Sequence, residues 1–527
     1  MKRAPPAITR LSTKSDIPVG QSSIRQAGIT LVVFTIAVKI IGLVKEMVLA
    51  ANFGTSQIVD IYLAGITVPS ILNTIITWAL PDAFVPLFSA ERNTRRSTSS
   101  AAYALIAMMA AISVSLWIMA KPLASLTGSG FSADARAATI VIAKIAAFSV
   151  FASTIEALFH SRLLAQKRFA YAGMGGIWIS VAMIAAIVAY PAGGARTLAW
   201  GYVAGVILAA VWNLWPYIFP RRSALSEGSC GIHRQPYKSA GRWVVIVFLL
   251  SCTGQLYILL DRYLASFLAE GSIAVLNFAA LVASQPVAIY GLAIGIAVQP
   301  FLPEKVIEND LHASRQIVER AMRWVLIGSV PSAVLMGILG DEIVSLLFER
   351  GVFDASSRSS TGVLLLPYAV WLLPAMVNTV LTRVSYAMFR WRPILIAEMI
   401  GLIIKASLSI ILVGSLGAFG LVTATAIAAM SSMVTLIIGT PGLITKRNWV
   451  TWGQLLAVLF ALSAAGTVLA YYLPVVLSLT SWRETAVMRI AAAVLLNLVL
   501  LTGLGPRLRI AEFVKLQSWL ANRVRRR

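Results

Sequence analysis

Residues 49–64, LAANFGTSQIVDIYLA, have a counterpart at residues 264–279, LASFLAEGSIAVLNFA. A charged pair precedes each stretch, Lys45-Glu46 in the first and Asp261-Arg262 in the second. A proline follows each, Pro69 and Pro286, and AFVP at 83–86 is answered by PFLP at 300–303. The offsets are 216 residues for the charged pairs and 217 for the prolines, so an ordered set of features recurs half a chain apart. Six apolar segments separate the copies. An even number of crossings preserves orientation, which makes these parallel repeats about an axis along the membrane normal.

Composition supports a membrane reading of those segments. Of 527 residues, 58% are hydrophobic and 12% charged, against about 25% charged in a soluble domain. The expected fold is an all-α polytopic membrane protein. Its segments reach the roughly 20 residues that a crossing needs and number fourteen: 28–52, 58–88, 99–120, 137–162, 169–191, 197–219, 241–268, 272–302, 321–348, 360–387, 393–414, 418–442, 453–475 and 485–505. Met1–Gln26 is polar and basic, and the first apolar segment has full length, so no cleavable signal peptide is expected.

With the N-terminus in the cytoplasm, 31 of the 44 lysines and arginines fall in or beside cytoplasmic segments and seven in external loops. That bias places both ends inside and makes the net charge of +23 a report of topology rather than of nucleic-acid binding. The organisation that follows is a basic N-tail (1–27), a first lobe (28–220), a basic linker (221–240), a second lobe (241–445), two added helices (446–505) and a C-tail (506–527). Two equivalent six-helix lobes facing one another enclose a central cavity. The C-tail has an apolar face and a basic end, suited to the anionic inner leaflet. Two cysteines and three histidines give neither a disulfide framework nor a metal signature.

The second segment, DIYLAGITVPSILNTIITWALPDAFVPLF at 60–88, carries Asp60, Asn73 and several threonines through the apolar layer. Such groups face protein or a water-filled space, and the central cavity is the expected one. Pro69 and Pro81 would let this helix bend there.

The pattern GLVKEMVLAANFGTSQIVDIYLAGITVPSIL followed by AFVP resembles the MurJ/MviN lipid II flippase family of the MOP exporter superfamily. So do LDRYLASFLAEGSIAVLNFA, LLFERGVFDASS at 346–357 and the long block RWRPILIAEMIGLIIKASLSIILVGSLGAFGLVTATAIAA at 390–429. The resemblance runs from about Ile29 to Thr445. It implies fourteen helices in two six-helix lobes plus two, and an activity that moves an undecaprenyl-linked sugar precursor from the inner to the outer leaflet of a bacterial inner membrane. The sequence has no nucleotide-binding loop, metal cluster or nucleophile constellation, so neither enzymatic chemistry nor a cofactor is expected; cell-wall or polysaccharide synthesis proteins are the expected partners.

The chain departs from the family's cationic pattern. Where relatives place arginines on the first span, this sequence has Lys39 and Lys45, which keep charge but lose the bidentate fork. Where relatives have an arginine pair after the proline of the second span, it has Asn73 and Thr74, and the family's polar-arginine step after LNFA is Ala280-Leu281. Lys39, Lys45, Asp60, Asn73 and Thr74 are the expected cavity residues. Lys45 either meets phosphate or pairs with Glu46 or Asp60, and Asp60 either neutralises Lys45 or caps a helix. Asp82 is expected to be structural.

In the second lobe the coupling candidates are Asp261, Arg262, Arg383, Glu398, Lys405 and Ser409. Some relatives hold sodium between an acid on the seventh span and oxygens on the eleventh. Lys405 stands at the matching place, four residues before Ser409, and its ammonium beside Asp261 would replace the ion; the alternative pairs it with Glu398. Lys144 and Glu156 are expected to contact neighbouring helices. The competing functions are an exopolysaccharide oligosaccharide flippase, a MATE-like small-molecule antiporter and a non-transporting scaffold.

Overall fold

The computed structural model describes residues 21–90, 98–166, 168–218, 252–298, 302–308, 310–388, 390–440, 442, 444, 446–476 and 482–504. The N-tail up to residue 20, the 221–240 linker, the 506–527 tail and Cys230 lie outside those residues, as does the side chain of Asp82.

Among the described residues the chain is almost wholly helical, without strands. In order come α1 (Gln21–Phe53), α2 (Gln57–Ala90), α3 (Thr98–Ile118), α4 (Ala120–Thr127), α5 (Ala133–Ala165), α6 (Phe169–Ala189) and α7 (Ala195–Ile218). Then follow α8 (252–265), α9 (Ser272–Val298), α10 (Leu302–Ile307), α11 (Leu311–Ile338), α12 (Gly340–Phe348), α13 (Ala355–Val363), α14 (Leu365–Ala387), α15 (Arg392–Gly439), α16 (Lys446–Val476) and α17 (Trp482–Leu504). Ten of the described helices are long and apolar enough to cross a membrane, or eleven if the pair α3 and α4, bent by 71°, is one span. This is a multi-pass membrane protein.

The ends of the elements are set by local chemistry. Ser132, Asp310 and Asp354 each turn a side-chain oxygen onto the third backbone N–H of α5, α11 and α13, satisfying a donor that a helix start leaves free. The expected span at 321–348 is two elements, because α11 begins at Leu311 and breaks at Leu339 before α12. The expected loop between 414 and 418 is a kink inside α15, where Gly417 takes φ +54°, a left-handed conformation natural to glycine.

Two groups of helices form. In the first, α2 packs on α5, α6 on α7 and α1, and α5 on α3 and α7; in the second, α14 packs on α15, α11 and α9. Small residues set the close approaches: a Cβ on Gly65 would lie 2.6 Å from Ile142 of α5, and one on Gly205 2.6 Å from the Ile179 backbone of α6. Backbones that meet at glycine gain dispersion contacts where no hydrophobic effect drives helices together. The helices α16 and α17 pair with each other and lie against α11 and α12. Arg489 of α17 bonds Glu342 of α12 at 2.6 Å.

The groups meet where α2 touches α9 and α1 touches α12. A common core there joins Leu49, Phe53 and Val59 to Ile273, Phe278 and Phe348. Phe278, Phe348 and Phe353 pack with ring centroids 5.1, 5.6 and 5.9 Å apart, each contact worth about 0.5–1.5 kcal/mol beyond its buried area.

Candidate functional site

The junction between the two groups is built from the ends of helices. Asp60, in the first turn of α2 and buried, reaches the start of α9: Gly271 N donates to its Oδ2 at 2.7 Å and Ala274 N to its Oδ1 at 2.8 Å. A helix start presents unpaired N–H groups and the positive end of its dipole, so a carboxylate is favoured there. Asp60 therefore caps a helix, but one in the other half, and it does not neutralise Lys45.

Around it the backbones nearly touch. Val352 N donates to Ala51 O at 2.9 Å, Thr55 Oγ1 and Ser357 Oγ share a hydrogen bond of 2.8 Å, and Gln57 Nε2 donates to Glu270 Oε1 at 2.6 Å. Gly130 N donates to Ser266 Oγ at 3.0 Å. Gly271 has φ +86°, and a Cβ on it would lie 2.0 Å from Thr55 O; no other residue type fits both demands. The Ser357 N–H donated to Asp354, with the Ser357 hydroxyl, holds that loop carboxyl below the usual carboxylate range. Sequence reasoning found Asp60 but missed Gln57, Glu270, Thr55, Ser357 and Gly271. Their signal was the position of LAANFGTSQ, AEGS and FERGVFDASS at helix junctions, readable only once the junctions are known to face each other.

The expected cavity residues divide. Lys45 pairs with Glu46 at 2.5 Å. Lys39 is exposed on the same helix, six residues earlier, about 9 Å along the axis. Asn73 turns into its own group: its Nδ2 donates to Ser149 Oγ and Tyr202 OH, both at 2.8 Å, and its Oδ1 accepts from Ser153 Oγ at 2.8 Å. Thr74 Oγ1 donates to Ser70 O of its own helix at 2.8 Å. At Asn73, α2 thus looks at α5 and α7, because an amide inside the membrane must satisfy every polar atom and those helices offer hydroxyls.

In the second half, α8 and α15 share a polar seam. Glu398 of α15 is hydrogen-bonded to Thr253 of α8. One notch further, a Cβ on Gly401 would lie 2.4 Å from Ser432 Oγ and 2.5 Å from Tyr257 OH. Then comes Lys405, fully buried, whose Nζ donates to Asp261 Oδ1 at 2.6 Å and Thr425 Oγ1 at 2.5 Å. Lys405 joins Asp261 and not Glu398. Ser409, one turn on, is buried with its hydroxyl unpartnered among the described residues. Arg262 points away from Lys405, donating to Ile273 O at 3.0 Å and Asn277 Oδ1 at 2.9 Å and so tying α8 to α9. Arg383 lies half-buried on α14. Among the described residues no group of acids, histidines or cysteines could hold a metal ion.

Known proteins resemble this chain in sequence and in fold. A probable lipid II flippase MurJ of Rhizobium tropici is 26% identical over 444 residues, covering 80% of this chain and 81% of the relative. The lipid II flippase MurJ of Burkholderia cenocepacia is 24% identical over 430 residues, covering 77% of this chain and 81% of the relative. A solved lipid II flippase MurJ in an inward closed conformation shares the fold at TM-score 0.74 and 20% identity, over 91% of this chain and 99% of that one. An inward-facing multidrug resistance MATE family transporter of the MOP superfamily shares it at TM-score 0.59 and 15% identity, over 78% and 95%. The family model described as lipid II flippase MurJ matches residues 49–492. The chain belongs to the MurJ family, a family of lipid flippases and not of enzymes.

Proposed function

We propose that this protein moves an undecaprenyl-diphosphate-linked sugar precursor, lipid II in the first instance, across a bacterial inner membrane by alternating access between its two halves. The family match across residues 49–492 carries the reading. Both termini lie in the cytoplasm, so the Asp60 junction seals the outer face. A diphosphate-sugar head group does not enter hydrocarbon unaided and needs a polar path with cations on it. Lys39 and Lys45 supply them. Lys45 is neutralised by Glu46 in this state, and an incoming diphosphate competes with that carboxylate for the ammonium. Expression in a bacterium whose own lipid II flippase can be switched off tests this. Growth should be rescued by the wild-type chain and lost with a stably inserted Lys45→Ala; no rescue at normal membrane levels points to another lipid-linked glycan or to a scaffold.

The same reading assigns Lys405 a coupling role. Its ammonium fills an oxygen-lined space between Asp261 and Thr425, the kind of donor set that suits a hard cation. Transport should then be indifferent to added sodium. Lys405→Asn should make it sodium-dependent, read as the ratio of precursor transported with and without sodium in vesicles. A wild-type chain that needs sodium overturns this assignment.

A further inference from the structure

Glu156 on α5 and Asn213 on α7 meet inside the first half, away from the junction. Asn213 is fully buried, and its Nδ2 donates to Glu156 Oε1 at 3.0 Å. Its Oδ1, buried too, has no donor among the described residues. The α6 helix comes against the pair at Gly175, where a Cβ would lie 3.1 Å from Asn213 Nδ2 and 3.5 Å from both Asn213 Oδ1 and Glu156 Oε1. A side chain on α6 would therefore crowd the two head groups.

A carboxylate offers only acceptors and leaves that amide oxygen orphaned, whereas a carboxylic acid has an O–H to give. With a proton on Glu156 Oε2 the acid and the amide can close a reciprocal pair, one N–H···O and one O–H···O, and the orphan is satisfied. The cations nearby are engaged elsewhere: the Arg162 guanidinium lies 5.9 Å from the ring of Phe88 and 5.1 Å from that of Tyr217, and Lys144 lies over Trp117 at 5.0 Å. Among the described residues Glu156 has no ion pair. From α6, Tyr171 stacks on Trp212 at 4.7 Å; from α7, Tyr202 accepts from Asn73 and Tyr217 donates to Gln166 at 3.3 Å. On the other helices that touch α5, Asp60 and Tyr62 of α2 are spent on α9 and Met183, and Tyr103 of α3 and Lys121 of α4 are exposed. That leaves His160, one turn along α5 toward its C-terminal end, with Nδ1 buried and unpartnered.

We propose that Glu156 and Asn213 form a proton-binding site in the first half, loaded with one proton in this state and reached through His160 from the C-terminal end of α5. The acid and the amide stand on different helices, so sliding α5 against α7 breaks both hydrogen bonds and frees the Glu156 O–H to pass its proton to His160 Nδ1, and from there to water. Proton loading thereby becomes part of the conformational cycle, which rests on the transport reading; the binding itself does not.

Infrared difference spectroscopy on the full chain in lipid nanodiscs tests the binding. A protonated-carboxyl band should persist at neutral pH, shift in deuterium oxide, vanish in Glu156→Gln and remain in Glu398→Gln. The glutamine keeps both hydrogen bonds to Asn213, so its Tm should match the wild type. An unchanged band in Glu156→Gln overturns the site. Transport under an imposed pH gradient tests the coupling: the response should fall at least tenfold in Glu156→Gln at equal protein levels. A vanished band with an intact gradient response overturns the coupling and keeps the binding site.

Discussion

Asp60 ties α2 of one half to α9 of the other with two hydrogen bonds. Asp60→Ala leaves two backbone donors at a buried helix start without an acceptor, a loss of about 0.5–2 kcal/mol for a capping residue. Since 1.4 kcal/mol is about a tenfold change in an equilibrium, the population closed at this end should drop roughly two- to thirtyfold relative to the open one. Labelling of a cysteine introduced at Gln57 by an impermeant reagent would read the change. Asp60→Asn should restore only part of it, because its single amide oxygen can accept from just one of the two N–H groups. Equal labelling in wild type and Asp60→Ala would show that the capping bonds do not hold the junction. Asp60 was identifiable from sequence as an acid at the start of a span, yet its partner was not, since both possible partners there, a lysine and a helix start, are chemically sound.

Among the elements, α2 and α9 are positioned by a loop that tolerates no side chain. Gly271→Ala places a Cβ within 2.0 Å of the Thr55 carbonyl and forces alanine to φ +86°, a strained conformation that adds roughly 1–3 kcal/mol. A methyl group on Gly414 in α15 would meet nothing within 4 Å, and alanine there should gain roughly 0.5–1 kcal/mol of helix propensity. Thermal unfolding in detergent should therefore separate the pair, with Gly271→Ala lower in Tm than wild type and Gly414→Ala equal or higher. Two substitutions with the same effect would remove the close approach as an explanation. The contrast also explains a limit of sequence reading. Both glycines sit at the ends or middle of apolar segments, and only a partner backbone distinguishes a required glycine from a tolerated one.

For the whole molecule, the proposed alternating access requires the junction to open. Thr55 Oγ1 and Ser357 Oγ lie 2.8 Å apart across it, a spacing that brings the two β-carbons near the roughly 3.5–4.5 Å of a disulfide. A Thr55→Cys/Ser357→Cys chain, made with Cys230 and Cys252 replaced by serine, should lose growth support under oxidising conditions and regain it with a reductant. Either single cysteine should behave as wild type. Full activity of a quantitatively cross-linked protein would mean that the halves do not separate here.

Repetition, hydropathy and charge bias are properties of residue order, and they settled the membrane class, the helical segments and the recurring pattern that relates 45–86 to 261–303. Residue order also singled out Lys405 and Asp261, because a charge in the apolar layer is conspicuous wherever it lies. Partners are a matter of distance between segments far apart in the chain, and packing in three dimensions chose them. It turned Asn73 into its own group, set Asp60 on α9, paired Lys405 with Asp261 instead of Glu398, and left one amide oxygen of Asn213 without a donor among the described residues. The physical reason is the same in each case: a polar atom in a low-dielectric interior takes whichever partner packing brings within about 3 Å, and hydropathy patterns carry no information about that third dimension.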